Sequence, residues 1–234
     1  SLAGVSKKNS VGRAHGFDCR TQGTMFHHIA AILEQRRPDA FVLENVKNLV
    51  SHDRGRTIEV IRQTLADDLD YRIEMKVLDA AGLVPQHRER IFIVGFRREL
   101  GDPGFDFADV DVGSRATGPR MCSVLHPEDG SEAEEAPWTE GPRATVAERY
   151  VLNDHLWDYL RAYADRHRAS GNGFGYGLVG TDDVARTLSA RYHKDGAEIL
   201  VRRDGGNPRR LTPRECARLM GYDDLLGSAR GRHM

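Results

Sequence analysis

Met25, Ile29, Ile32 and Leu33 recur at helical spacing until Pro38 closes the run, which predicts a helix over 25–35. Phe41-Val42-Leu43 follows a Pro-Asp turn signal as a short continuous apolar run and predicts a buried parallel strand ending at Glu44-Asn45. Ile58, Ile61, Leu65 and Leu69 return to the helical period, Tyr71 to Leu78 reads extended, and Arg90 to Phe96 (RIFIVGF) is a second β-prone run. The alternation is that of an α/β chain. Further along, Leu156, Leu160 and Tyr163 predict an amphipathic helix capped at Asn153 or Asp154. Thr212-Pro213-Arg214-Glu215 combines an N-cap threonine, a proline at the first helical position and a glutamate three residues on, a capping box opening a helix that runs to Met220 and stops at Gly221.

Composition narrows the class. The 234 residues are 39% hydrophobic and 29% charged, a globular mixture large enough for one big domain or one and a half. A net charge of −1 gives no global pull toward nucleic acid or membrane. No apolar run approaches the ~20 residues of a membrane span and no signal-like core opens the chain, so a soluble cytoplasmic protein without a membrane partner is expected. Cys19, Cys122 and Cys216 are far apart with no CxxC pair, which argues against a disulfide framework and against zinc. His27 and His28 are adjacent on a helix, where their rings point apart, so no metal site is expected there or elsewhere. Gly171 to Gly177 fails the dinucleotide pattern GxGxxG because position 176 is Tyr176.

The even overall balance hides an uneven distribution. Residues 1–24 carry Lys7, Lys8, Arg13 and Arg20 against Asp18, among glycines, and read as a mobile basic loop. Residues 99–137 carry ten acids against Arg115 and Arg120, which predicts a domain boundary or exposed connector. From 200 to 234 eight arginines oppose four acids. Solvated surface is the default reading of all three, because charge runs usually face water.

Two places carry candidate chemistry. Glu44 sits where a strand meets a loop, the edge at which open α/β sheets bind ligands. Desolvation there lets a carboxyl donate a hydrogen bond to a substrate ring nitrogen, and capping of the following turn is the structural alternative. Gln86-His87-Arg88-Glu89-Arg90 leads into the RIFIVGF strand, and alternation sends Gln86, Arg88 and Arg90 to one face. Paired guanidiniums on one face fit a phosphate or a base edge, with surface ion pairing as the alternative.

Three blocks, FVLENVKNLVSHDRGRT (41–57), VPQHRERIFIVGFR (84–97) and PRRLTPRECARLMGY (208–222), resemble in wording and order the C5-cytosine DNA methyltransferases. Residues 171–200 resemble the target-recognition region of bacterial Dcm-like methylases. The resemblance spans nearly the whole chain and is weakest over 99–145. It implies a partial S-adenosylmethionine-dependent, Rossmann-like α/β sheet in residues 1–98, with a mobile DNA-binding loop over 1–22. It further implies a smaller target-recognition domain over 99–205 and a returning helix over 206–234.

The same resemblance implies roles. Glu44 would contact N3 and the amino group of a flipped cytosine, with Asn45 holding its loop; Arg90 would bind the cytosine O2, with Arg88 supporting that site or a phosphate. Ser1, Lys7, Lys8, Arg13 and Gln86 would meet DNA, Thr187-Leu188 would lie at the centre of target recognition, and Arg186 and Arg191 would read bases or phosphates. Met25 would pack against the methyl donor. Double-stranded DNA is the implied partner, a CCWGG-like site the implied target, and restriction–modification the implied setting. The family's Pro-Cys-Gln nucleophile block and glycine-rich donor loop do not occur in these residues, so the chain is expected to be a fragment or one piece of a split enzyme. Alone it would be inactive, and it would work with a complementary N-terminal methyltransferase fragment. A DNA-binding or target-recognition module without chemistry is the second reading.

Overall fold

Helix α1 (Met25–Arg36) begins what the computed structural model of the protein describes, residues 25–173 and 175–222. The chain divides into two compact units, one formed by Ser1–Asp79 with Glu89–Val112 and the other by Ala80–Arg88 with Gly113–Met234.

In the first unit α1 is followed by strand β1 (Ala40–Val46), helix α2 (Arg56–Gln63) continuing as a π turn to Asp68, and strand β2 (Tyr71–Asp79). The two-residue strand β3 (Gln86–His87) belongs to the second unit, and β4 (Glu89–Arg97) returns to the first. The sheet order is β1-β4-β2, antiparallel at both junctions. Alternation puts Phe41, Leu43, Tyr71, Ile73, Met75, Ile91 and Ile93 on one face, where they pack with Phe26, Leu33, Ile61 and Leu65 of the helices. The other face carries Val42, Glu44, Arg90 and Phe92. The run at 41–43 therefore forms its strand, but antiparallel to β4 and, among the described residues, paired along one edge only. Only its odd-numbered side chains are covered, and Val42 is 65% exposed. Across from Phe41 stands Gly95, whose missing side chain leaves room for the Phe41 ring.

The second unit is built from short pieces. Strands β5 (Thr139–Glu140) and β6 (Thr145–Val146) pair as a hairpin, and helix α3 (Asp154–Ala169) starts at Asn153, whose side chain accepts from the Leu156 N–H at 2.8 Å. Strand β7 (Leu178–Val179) lies parallel to β9 (Leu200–Val201), which is antiparallel to β10 (Arg209–Arg210); β8 (Ala185–Arg186) lies parallel to β3. The short helix α4 (Tyr192–Asp195) and α5 (Pro213–Leu219) complete it. The expected capping box is formed, with Thr212 and Glu215 each accepting the other's backbone N–H at 3.1 and 2.9 Å. Met121, Val124, Leu125, Ile199, Val201, Leu211 and Leu219 make the core.

The unit boundary at 112–113 falls inside the acidic stretch, yet several of its acids are held in ion pairs rather than left to water alone. Glu132 is paired with Arg218 at 3.0 Å, Glu135 accepts from Arg214 Nε at 2.9 Å, and Glu128 lies 3.7 Å from Arg209. Acids from the middle of the chain thus pair with Arg209, Arg214 and Arg218 of the arginine-rich segment that follows residue 200. Below them Arg209 and Glu215 form a bidentate pair at 2.8 Å with both side chains buried.

Candidate functional site

Glu44 and Arg90 share the open face of the first unit's sheet. Glu44 is opposite Phe92 and Arg90 is opposite Val46, so the two are diagonal neighbours on adjacent strands. Arg90 Nε lies 2.8 Å from Glu44 Oε1; the glutamate side chain is 48% exposed and the arginine 15%. Arg90 also donates to the Glu89 carbonyl at 2.8 Å, which fixes the base of its guanidinium and leaves the carboxylate as the accessible end. Beside Glu44, the Asn45 carboxamide accepts from the Val46 N–H at 2.8 Å, shaping the exit of β1 into the 3-10 turn Lys47–Leu49. Lys47 reaches Glu89 at 2.6 Å, clamping that turn to the start of β4. The result is an acceptor next to a fixed fork of donors at a strand end. That pattern matches the edge of a planar heterocycle presenting a ring nitrogen, an amino group and a carbonyl oxygen.

The block 84–97 does not run as one strand. The ladder breaks at Arg88, so Gln86 and Arg88 fall in the second unit and Arg90 in the first. The single-face alternation expected from Gln86 to Arg90 is interrupted there, because 86–87 pair with 185–186 whereas 89–97 pair with β1 and β2. Gln86 is fully buried. Its amide nitrogen donates to the Leu219 carbonyl at 3.0 Å and its oxygen accepts from the Leu188 N–H at 2.8 Å. Thr187 donates to the His87 carbonyl at 2.7 Å. The Thr187-Leu188 dipeptide is therefore pinned to the Gln86-His87 strand by the β3–β8 ladder and two further hydrogen bonds. Arg186 and Arg191 flank it, both exposed. Arg88 is partly buried, and its carbonyl accepts from the Ala80 N–H at 3.1 Å.

Ser1, Lys7, Lys8 and Arg13 lie outside the described residues. Met25, 53% exposed, opens α1. One exposed thioether is not by itself the concave, polar-tipped pocket that a sulfonium nucleoside requires. Among the described residues no group of three His, Cys, Asp or Glu side chains is placed to hold a metal, and no helix is long and apolar enough to cross a membrane.

Sequence reasoning passed over one feature of the second unit, a cavity of about 540 Å³ beside Leu188 that is lined by Arg149, Tyr150, His193 and Arg210 among others. The only trace of it along the chain is the Arg209-Arg210 pair. The other lining residues come from 149–150, about sixty positions before Arg210, from 188–193, about twenty before it, and from the turn and helix just after it.

The mixed α/β architecture is one shared with solved methyltransferases: the chain superposes on the Dnmt2 methyltransferase of S. pombe with a TM-score of 0.59 at 15% identity, over 91% of this chain and 64% of that one, a likeness of fold. The chain belongs to the C-5 cytosine-specific DNA methylases, whose family model matches residues 9–226. It is 46% identical over 252 residues to the DNA-cytosine methyltransferase of Escherichia coli K12, covering 95% of this chain and 50% of that protein. It is 39% identical over 218 residues to the type II methyltransferase M1.ScrFI of Lactococcus lactis subsp. cremoris, covering 92% and 51%. The chain spans about half the length of the curated relatives it matches.

Proposed function

We propose that this chain supplies the base-holding and target-reading parts of a cytoplasmic DNA (cytosine-5-)-methyltransferase acting on double-stranded DNA. The observation that carries the reading is the Glu44–Arg90 pair, an exposed carboxylate 2.8 Å from a nearly buried guanidinium on one sheet face. A cytosine everted from the duplex places N3 and its amino group against Glu44 and O2 against Arg90. A proton held at N3 and a donor at O2 draw electron density from C6, and the arginine stabilises the charge that builds on the ring as a nucleophile attacks. Eversion costs a few kcal/mol, and contacts on two edges of the base offset it. Asn45 keeps the strand exit in place for this task, and Arg88 serves a neighbouring phosphate.

In the second unit Thr187-Leu188, with Arg186 and Arg191, reads the target, and buried Gln86 acts as the positioning group beneath it. Ser1, Lys7, Lys8 and Arg13 add phosphate contacts. The methyl donor is S-adenosylmethionine, with Met25 at the margin of its site. The 234 residues contain no Pro-Cys-Gln sequence. Without that thiolate C6 is not attacked, so these residues alone do not transfer methyl groups and require the nucleophile and donor motifs, in cis or from a partner polypeptide.

The test is incorporation of tritiated methyl groups into duplex DNA by the chain alone and by the chain mixed with such a polypeptide. The expected result is no transfer alone and transfer on mixing. Duplex binding with no transfer in the mixture would instead support a recognition module without chemistry.

A further inference from the structure

We propose that the cavity beside Leu188 receives one nucleotide of the bound DNA, its phosphate on Arg149 and Arg210 and its base against Tyr150 and Leu188. The proposal rests on the reading of the chain as a DNA methylase and adds to it a separate nucleotide subsite in the second unit, apart from the Glu44–Arg90 pair.

The volume of about 540 Å³ lies in the range of small-ligand pockets and accommodates a base with its sugar. The chemistry of the wall is one-sided. Arg149, His193 and Arg210 line it and no carboxylate does. In a chain of nearly balanced charge, where Arg209, Arg214 and Arg218 nearby are each met by an acid, this is a local excess of cation suited to a phosphodiester. Among the described residues neither Arg149 nor Arg210 has a carboxylate partner. Arg149 instead donates to the Tyr150 hydroxyl at 3.2 Å and lies over that ring at 5.2 Å, a guanidinium and an aromatic ring held together beside an apolar leucine. Bases stack on such platforms whatever their identity.

Arg210 is seated by its surroundings. It lies against Gly196, which has φ +57°, and any side chain there would come within 2.7 Å of the Arg210 Cδ and Nε. The isolated bridge between Val151 and Arg209 ties the Arg149-Tyr150 turn to β10, so both cations approach the cavity from backbone that is itself paired. On the other side Leu188 is fixed through its N–H to buried Gln86. The subsite is thus continuous with the proposed target-reading dipeptide.

The test measures fluorescence anisotropy of a labelled 20-base-pair duplex and of its single strand with the 234-residue chain. Arg210→Gln and Arg149→Gln each weaken binding about tenfold and lower the slope of log affinity against log salt by about one. Tyr150→Ala weakens binding roughly tenfold whereas Tyr150→Phe does not. Gly196→Ala, by displacing Arg210, reproduces the arginine loss with the guanidinium still present. Arg120→Gln, whose guanidinium is spent on the Arg115 and Ala116 carbonyls, leaves binding unchanged. Thermal unfolding of each variant confirms that it is folded. Millimolar deoxycytidine monophosphate, which offers the same base and phosphate, is expected to compete partly with DNA for the wild-type chain and less so for Arg210→Gln; equal competition in both would overturn the proposal. Variants that bind duplex like the wild type would overturn the subsite and leave the methylase reading standing. A wild-type chain that binds neither strand form would overturn both.

Discussion

Glu44 and Arg90 meet at 2.8 Å as diagonal neighbours on antiparallel strands, with the acid half exposed and the base largely covered. A pair of that exposure contributes little to stability, about 1 kcal/mol at most, because water screens it and both side chains lose freedom. Its placement makes sense as a site held ready for a planar ligand. Replacing Glu44 with glutamine keeps the shape and removes the charge. The expected outcome is an unfolding midpoint close to wild type and a loss of methyl transfer, in the complemented assay, on the order of a hundredfold or more. A comparable fall in stability and activity would show that the pair is structural.

Gln86 makes the opposite case. Its amide is fully buried and bonded to Leu219 and Leu188, residues far along the chain from it. Gln86→Leu matches its size and strips the partners of both a donor and an acceptor, leaving a buried N–H and a buried carbonyl unsatisfied. Urea titration should show a loss of about 2–4 kcal/mol, since each such orphan costs roughly 1–3 kcal/mol. Target discrimination should fall with it as Leu188 is released.

Beneath α5, burial by itself raises the pKa of Glu215, but the Arg209 guanidinium at 2.8 Å and the N–H groups of Thr212 and His126 outweigh it and hold the carboxyl below its ordinary 4.5. A carboxyl depressed in the folded state stabilises fully above its unfolded pKa and loses that contribution as pH falls through the folded value. Stability of the second unit is therefore expected to be insensitive to this group from neutrality down to about pH 5 and to fall below about pH 4.5. Glu215→Gln leaves buried Arg209 with only the more distant Glu128, at 3.7 Å, as counter-charge and should cost about 3 kcal/mol at neutral pH, with a flatter acid limb in chemical denaturation.

What was legible in the sequence follows the range of the interactions. Thr212 and Glu215, three residues apart, announce their capping box, Asn153 announces its helix, and the β-branched run at 90–96 announces β4; each signal is local. The family blocks imply that Glu44 and Arg90 act together, and the two side chains lie 2.8 Å apart on neighbouring strands. Gln86 was misleading because alternation assumes an unbroken strand, and the break at Arg88 is set by pairing with residues a hundred positions on. The acids at 128–135 looked solvated because their arginine partners come more than seventy residues later. The nucleotide cavity left almost no mark, since a cavity is defined by what converges on it rather than by any one segment.

Cysteine chemistry offers a direct check on the second unit. Burial, reinforced by the nearby charges of Glu215 and Glu198, pushes the Cys216 thiol up to about 12, whereas Cys122 is exposed. At about pH 8 only around one Cys216 in ten thousand is then thiolate, and the thiolate is the species that reacts. Iodoacetamide should label Cys122 in the native protein and Cys216 only after denaturant is added, as read by peptide mass mapping. Native labelling of Cys216 would mean that this core opens far more readily than its packing indicates.

Gly95 tests the packing that brings Glu44 and Arg90 together. It stands across from Phe41 on β4, and a methyl group built there would lie 2.2 Å from the tip of the Phe41 ring, which also packs edge-on against Tyr71 at 4.9 Å. Gly95→Ala must push that ring out of the core or move β1 away from β4, at a cost of about 1–3 kcal/mol for overpacking. Because Glu44 lies on the same strand as Phe41, the strand shift also separates it from Arg90. The expected outcome is a lowered thermal midpoint together with reduced transfer in the complemented assay. Gly95→Ala paired with Phe41→Leu, which makes room for the added methyl, should recover much of both. Recovery of stability without activity would place the functional demand on the Phe41 ring itself rather than on the spacing of the two strands.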